Sequence, residues 1–140
     1  MKKLTCAAAL FALAACDTAT SPTASSTSAA TYSGAAAALF ALPVEDYYKQ
    51  VSLARVTTDF CPNLKFNRRL DLEMNEDRNR EGRGSFSVVT RVREVRANND
   101  AFLAAYARDR NLPLAKDSGW CAAGRRELAA ASPASALIDG

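Results

Sequence analysis

Residues 44 to 60, "VEDYYKQVSLARVTTDF", decide the fold. Their apolar side chains recur at 44, 47, 48, 51 and 54 and again at 53, 56 and 60, while Lys49, Arg55 and Asp59 fall elsewhere. This spacing matches the turn of an α-helix that buries one broad stripe. Pro43 suits the first turn, and Glu45 and Asp46 complement the positive end of the helix dipole. Cys61-Pro62 closes the helix, because the residue before a proline is pushed out of the helical region. Tyr47 and Tyr48, at helical spacing, are expected as half-buried core rather than as a recognition edge.

Working outward, Pro62 and Asn63 suit the start of a second helix that carries Phe66, Leu70 and Met74 at intervals of four, with dense mixed charge between them. It ends at "EGRGS", residues 81 to 85, where two glycines make a turn. The next stretch, "FSVVTRVREVR" at 86 to 96, is ambiguous. Val88, Val92 and Val95 share a helical face, whereas Phe86, Val88, Thr90 and Val92 alternate as in a strand. Helix is the expectation, because no partner strand is evident and an isolated strand leaves its backbone unsatisfied. Asn98, Asn99 and Asp100 suit the cap of another helix reaching about Arg110, with Phe102, Leu103 and Tyr106 inward and Leu112-Pro113 as its stop. A last helix is expected from Ser118 through Ala131, bringing Trp120, Cys121, Gly124 and Leu128 onto neighbouring faces. Ser132-Pro133 then suits a short terminal turn ending in Leu137 and Ile138. The expected fold is all-α, a small bundle of about four to five helices spanning residues 43–140.

Upstream of this domain the composition changes twice. Lys2 and Lys3 precede an apolar run from Leu4 to Ala15, the length of a signal-peptide core and too short to span a bilayer. An A-x-A site at Ala12-Leu13-Ala14 would suit an ordinary signal peptidase. More specifically, Leu13-Ala14-Ala15-Cys16 resembles the lipobox of bacterial lipoproteins, with all four positions matching. The resemblance implies a signal peptide over residues 1–15, a diacylglycerol on the Cys16 sulfur and cleavage before Cys16. The membrane is then the first partner, in the cell envelope, with the domain facing the periplasm or the cell surface.

Residues 17 to 33, "DTATSPTASSTSAATYS", hold 10 Ser or Thr and one charge. That is the composition of a flexible linker. Residues 16–42 are accordingly expected to be the lipidated cysteine and its tether, with a root-mean-square reach of roughly 23 Å for an 18-residue coil.

Four cysteines are present. Cys6 lies in the expected signal and Cys16 is the expected lipid site, which leaves Cys61 and Cys121. In an oxidising envelope such a pair reads as one disulfide, tying the end of the first long helix to the start of the last. Redox chemistry is disfavoured by the lack of a C-x-x-C spacing. Zinc is disfavoured because two thiols without histidine do not complete a closed site.

In the same half of the chain, "DFCP" at 59 to 62 and "WCAAGRREL" at 120 to 128, followed by a small-residue tail with "LI", resemble the DUF5333-like family of small exported alphaproteobacterial proteins of unknown function. The likeness spans about residues 44 to 138. It implies helices and a disulfide, and it carries over no catalytic residue.

The chain contains no histidine. Ser-His-Asp and Cys-His mechanisms, histidine-ligated metals and a histidine pH switch are therefore excluded. A carboxylate pair of the glycosidase type, a Ser-Lys dyad or a carboxylate-bound cation would survive, but no spacing singles out a catalytic residue or a cofactor motif. "DRNREG" at 77 to 82 matches positions 1, 3, 5 and 6 of a calcium loop, then fails: position 12 is Val88 and three arginines crowd the loop. A solvated helix end is the better expectation, with no metal.

Arg83, Arg91, Arg93 and Arg96, offset only by Glu94, form one locally basic stretch, expected as a solvated helix face, with contact to anionic headgroups or a polyanion as the alternative. Without Lys2 and Lys3 the chain has 16 basic and 15 acidic residues, which is no nucleic-acid footprint. The functional expectation is a lipid-anchored envelope protein that binds or scaffolds an envelope protein or cell-wall partner without catalysis. Its rivals are a soluble periplasmic inhibitor or partner subunit and a carboxylate-dependent cell-wall glycan hydrolase.

Overall fold

The computed structural model describes residues 32–84, 89–113 and 119–140, without the side chains of 89–93. Five α-helices are present among these: α1 (Gly34–Ala41), α2 (Val44–Asp59), α3 (Arg68–Arg80), α4 (Val89–Asp109) and α5 (Gly119–Ala129). Two short strands, β1 (Lys65–Phe66) and β2 (Ile138–Asp139), pair antiparallel, Lys65 with Asp139 and Phe66 with Ile138. The fold is all-α, and the Cys61–Cys121 disulfide joins the residues just after α2 and just inside α5.

Residues 44–59 form the central helix. α2 packs against α1, α4, α5, β1 and a 3₁₀ turn at Pro133–Leu137. It buries Tyr47, Val51, Leu53, Ala54 and Val56, as its apolar spacing demands. Thr57 and Thr58 are buried too, because each hydroxyl donates back into the helix: Thr57 Oγ1 to the carbonyls of Leu53 and Ala54, both at 2.9 Å, and Thr58 Oγ1 to that of Ala54, at 2.9 Å. Phe60, expected inward, is 37% exposed. It follows the last helical residue, where the periodicity no longer fixes its direction.

Where α5 crosses α2 the backbones approach closely. A Cβ built on Gly124 would lie 2.8 Å from Leu64 Cδ1 and 3.0 Å from Thr57 Cβ, so glycine is what lets the two helices meet. The core is completed by Met74 from α3, Leu103, Tyr106 and Ala107 from α4, Trp120 and Ala123 from α5, and Leu137 and Ile138.

Four expectations are corrected. First, the tether does not reach residue 42. Residues 34–41 form α1, whose Leu39 and Phe40 are 0% and 2% exposed, and whose main neighbour is the terminal 3₁₀ turn. The run "AAAALFAL" is rich in alanine, the best helix former, and carries two large apolar residues that a tether would have to leave in water. Tyr32 also belongs to the folded unit, packing on Phe40 with ring centroids 5.1 Å apart. The expected signal, Cys16 and the expected tether as far as residue 31 lie outside the described residues.

Second, α3 starts at Arg68 rather than near Pro62. Residues 65 and 66 are held extended by β2, and Asn67 caps the helix, its Oδ1 accepting from Leu70 N at 3.0 Å. Third, no break occurs at Asn98-Asn99-Asp100, where α4 runs through unbroken. Asn99 is committed across the fold, donating through Nδ2 to Ser52 Oγ at 2.8 Å. Asn99, Leu103, Tyr106 and Ala107 then form one stripe at helical spacing, and packing that stripe on α2 outweighs the local capping preference. The described part of 86–96 is helical, as expected.

The fourth correction concerns the end of α3. Asp77 accepts from Tyr32 Oη at 2.7 Å and pairs with Arg80 at 2.7 Å, while Arg78 is 1% exposed. The helix end is therefore solvated only in part: Asn79, Arg80 and Gly82 are exposed, while Asp77 and Arg78 are used inside the fold.

At the C-terminus, Ser132 and Pro133 start the terminal turn as expected, Ser132 Oγ accepting from Ser135 N at 3.4 Å. Ser118 lies outside the described residues.

Candidate functional site

A hollow lies between α2 and α3. Arg55 and Asp59 line it from α2, Phe66 from β1, and Arg68, Asp71 and Leu72 from α3, around a cavity of about 380 Å³. Its floor is an ion pair. Asp71, with a side chain only 5% exposed, meets Arg55 Nη2 through Oδ2 at 2.8 Å. Asp71 Oδ1 accepts from Tyr47 Oη at 3.2 Å and from Asn75 Nδ2 at 3.5 Å. Both carboxylate oxygens are therefore hydrogen-bonded, as burial of a carboxylate requires.

Arg55 is placed differently. Its side chain is 55% exposed, and its guanidinium lies 4.7 Å from the centre of the Phe66 ring. The aromatic face fixes the plane of the cation while several N–H donors stay turned to solvent. The side chains of Arg68 and Asp59 are exposed and make no hydrogen bond or ion pair among the described residues. A second hollow of about 330 Å³ adjoins across Arg55 and Asp59, lined also by Ser52, Val56, Phe60, Asp100 and Leu103.

Compared with known proteins, the chain matches no family model, no curated protein and no solved structure. Its chemistry has to be read from its own side chains.

Two further polar centres hold the body together. At the α1–α3 corner, Arg78 donates to the carbonyls of Phe40, Leu42 and Arg83, with its guanidinium 4.4 Å from the Tyr47 ring centre. Burial pushes its pKa below the ordinary arginine value, with Arg83 adding repulsion, yet arginine stays charged in proteins. Between α4 and α5, Tyr106 donates to the buried Glu127, and Arg110 lies over the Tyr106 ring at 3.8 Å.

Tyr47 and Tyr106 both hold their protons more tightly than a free phenol, chiefly because burial penalises the phenolate and then because each faces a carboxylate, Asp71 and Glu127 respectively. The unfolded chain therefore ionises first as pH rises through about 10, and binds fewer protons than the folded chain there. Stability present in full below that pH is expected to fall as pH climbs beyond it. Urea midpoints taken from about pH 8 to 11 check this, with Tyr47→Phe expected to flatten the fall. A midpoint that does not move with pH would refute it.

Of the residues singled out in the sequence, Cys61 and Cys121 are brought together. Arg83 folds back onto the end of α1, donating to Ala41 O at 3.5 Å and pairing with Glu81 at 3.0 Å. Arg96 is exposed on α4, and the side chains of Arg91 and Arg93 lie outside the described residues, as does Cys16. No group of three or more Cys, Asp or Glu that could hold a metal ion occurs among the described residues, and no described helix is long and apolar enough to cross a membrane.

Arg55, Asp71 and Arg78 were not singled out from the sequence. Arg55 falls off the apolar stripe of α2, and Asp71 and Arg78 share the buried face of α3 with Met74 alone, so periodicity assigns all three to solvent.

Proposed function

We propose that this protein is held at a bacterial membrane by lipid on Cys16, and that its helical domain binds a partner in the cell envelope without catalysing a reaction. The lipobox-like Leu13-Ala14-Ala15-Cys16 and the Ser/Thr-rich residues after it support the anchor. So does the disulfide, which uses Cys61 and Cys121 and leaves Cys16 with only Cys6, in the expected signal, as a possible thiol partner. Several acyl chains on one residue, at about 0.8 kcal/mol per buried methylene, hold far better than one.

The observation that carries binding over catalysis is the state of Asp71. It is the buried carboxylate of the α2–α3 cleft, and Arg55, Tyr47 and Asn75 already occupy it. Glycan hydrolysis of the carboxylate type needs two acidic groups free to act on the substrate. In the cleft only Asp59 is left for that work. The rival reading, a soluble periplasmic inhibitor or partner subunit, is favoured by the exposure of Phe60 and Leu72, at 37% and 54%.

Cys16→Ser decides between the anchored and soluble readings. The variant is expected to lose the acyl mass addition and to move from the membrane to the soluble fraction on cell fractionation. Membrane association that survives the substitution with normal processing would overturn the anchor.

A further inference from the structure

We infer that the cleft between α2 and α3 takes a short zwitterionic peptide: its carboxylate held by Arg55 and Arg68, its ammonium facing Asp59, its apolar side chain against Phe66 and Leu72. The inference rests on the binding role proposed above and names the ligand class of that site.

The charge layout carries it. Four charged side chains line the cleft, two of each sign. One pair is internal, since Arg55 meets Asp71 at 2.8 Å. The pair is lopsided. Asp71 is spent on the protein, whereas Arg55 is more than half exposed and keeps donors for a second carboxylate. Arg68 and Asp59 are the remaining cation and anion, and neither is paired among the described residues. Opposite charges that line one hollow without meeting each other are complementary to a ligand carrying both signs at separate ends.

The balance also discriminates. A phosphate dianion would meet Asp59 and Asp71 with no surplus of positive charge to offset them, and like-charge juxtaposition costs affinity. The cavity of about 380 Å³ lies at the small end of ligand sites. It suits a few residues rather than a polymer. Phe66 is held beneath the Arg55 guanidinium, and Leu72 at 54% exposed is the most exposed large apolar side chain among the described residues, so the apolar part of the ligand has a surface to cover.

The test uses the full chain carrying Cys16→Ser, oxidised and labelled with nitrogen-15, titrated at millimolar concentration with alanyl-phenylalanine, its C-terminal amide, its N-acetyl form and inorganic phosphate. Alanyl-phenylalanine is expected to give saturable amide shifts confined to residues around 55, 59, 66, 68 and 72. Arg68→Gln, a change at an exposed side chain that leaves the fold intact, is expected to raise its Kd about tenfold, or about 1.4 kcal/mol. The amide should not bind. Asp59→Asn should abolish the preference for the free amine over the N-acetyl form.

Absence of shifts at these residues, equal binding of the amide, an unchanged Kd in Arg68→Gln, or displacement of the dipeptide by phosphate would each overturn the assignment. Failure here, with Cys16→Ser still releasing the protein from membranes, would remove the ligand class and leave the anchor standing. Dipeptide bound in the cleft and then cleaved would support the ligand class and remove the non-catalytic role.

Discussion

Arg78→Ala is expected to destabilise the folded protein by about 3–5 kcal/mol, a loss comparable with the net stability of a small domain. The guanidinium is 1% exposed and forks between the carbonyls of Phe40 and Leu42 at the end of α1, with a third bond to Arg83 O. Alanine would leave these acceptors without their donor, at about 1–3 kcal/mol for each one kept from water, and would open a void beneath the Tyr47 and Phe40 rings.

The C-terminal carbonyls of a helix are also the negative end of its dipole, which the cation offsets. Arg78→Lys should recover little, because one ammonium cannot reach the carbonyls as a planar fork does. Urea unfolding with an unchanged slope and a lowered midpoint is the measurement. An Arg78→Ala midpoint within error of the parent would show that α1 is held by apolar packing alone.

Breaking the Cys61–Cys121 bond is the second large effect. The two residues are separated by 60 positions in sequence, and closing such a loop removes unfolded-state entropy worth about 4 kcal/mol. Cys61→Ser with Cys121→Ser, or reduction by dithiothreitol, is expected to lower Tm by about 20 °C for a domain of this size. The bond joins neighbouring parts of one packed unit, since α2 and α5 already touch through Gly124. The helices should therefore survive reduction at low temperature while thermal tolerance falls. A reduced protein with the same Tm would mean that the unfolded chain is already restricted in the same way. Arg78 and the disulfide act at different ends of α2, so the two losses should add when combined.

How much of this was legible beforehand depends on the kind of signal. Long apolar periodicity was reliable for α2 and the last helix, glycine spacing marked the turn at Gly82 and Gly84, and the lack of a partner strand decided the helical reading of 89–96. The cysteine pairing followed from elimination once Cys16 was given another fate. Local end signals misled where tertiary contacts competed with them. Asn98 to Asp100 look like a cap, yet Asn99 is used on Ser52 and the helix continues.

The expected number of helices was met by a different set, one helix gained at 34–41 and two merged into α4. α1 was missed because its alanines read as an extension of the Ser/Thr-rich linker, and the two apolar residues that bury it are too few to show a period. The cleft was not legible at all. Asp71 and Arg55 are 16 residues apart in sequence, and only the crossing of α2 and α3 puts them 2.8 Å apart.

The contact between α1 and the Pro133–Leu137 turn joins segments about a hundred residues apart, and so sets an order of events. A chain made from its N-terminus offers Leu39 and Phe40 to water until the residues that cover them have been added at the other end. Non-local closure of this kind is slow, because the intervening chain must be gathered first. The protein therefore completes its folding only after nearly all of it has been synthesised.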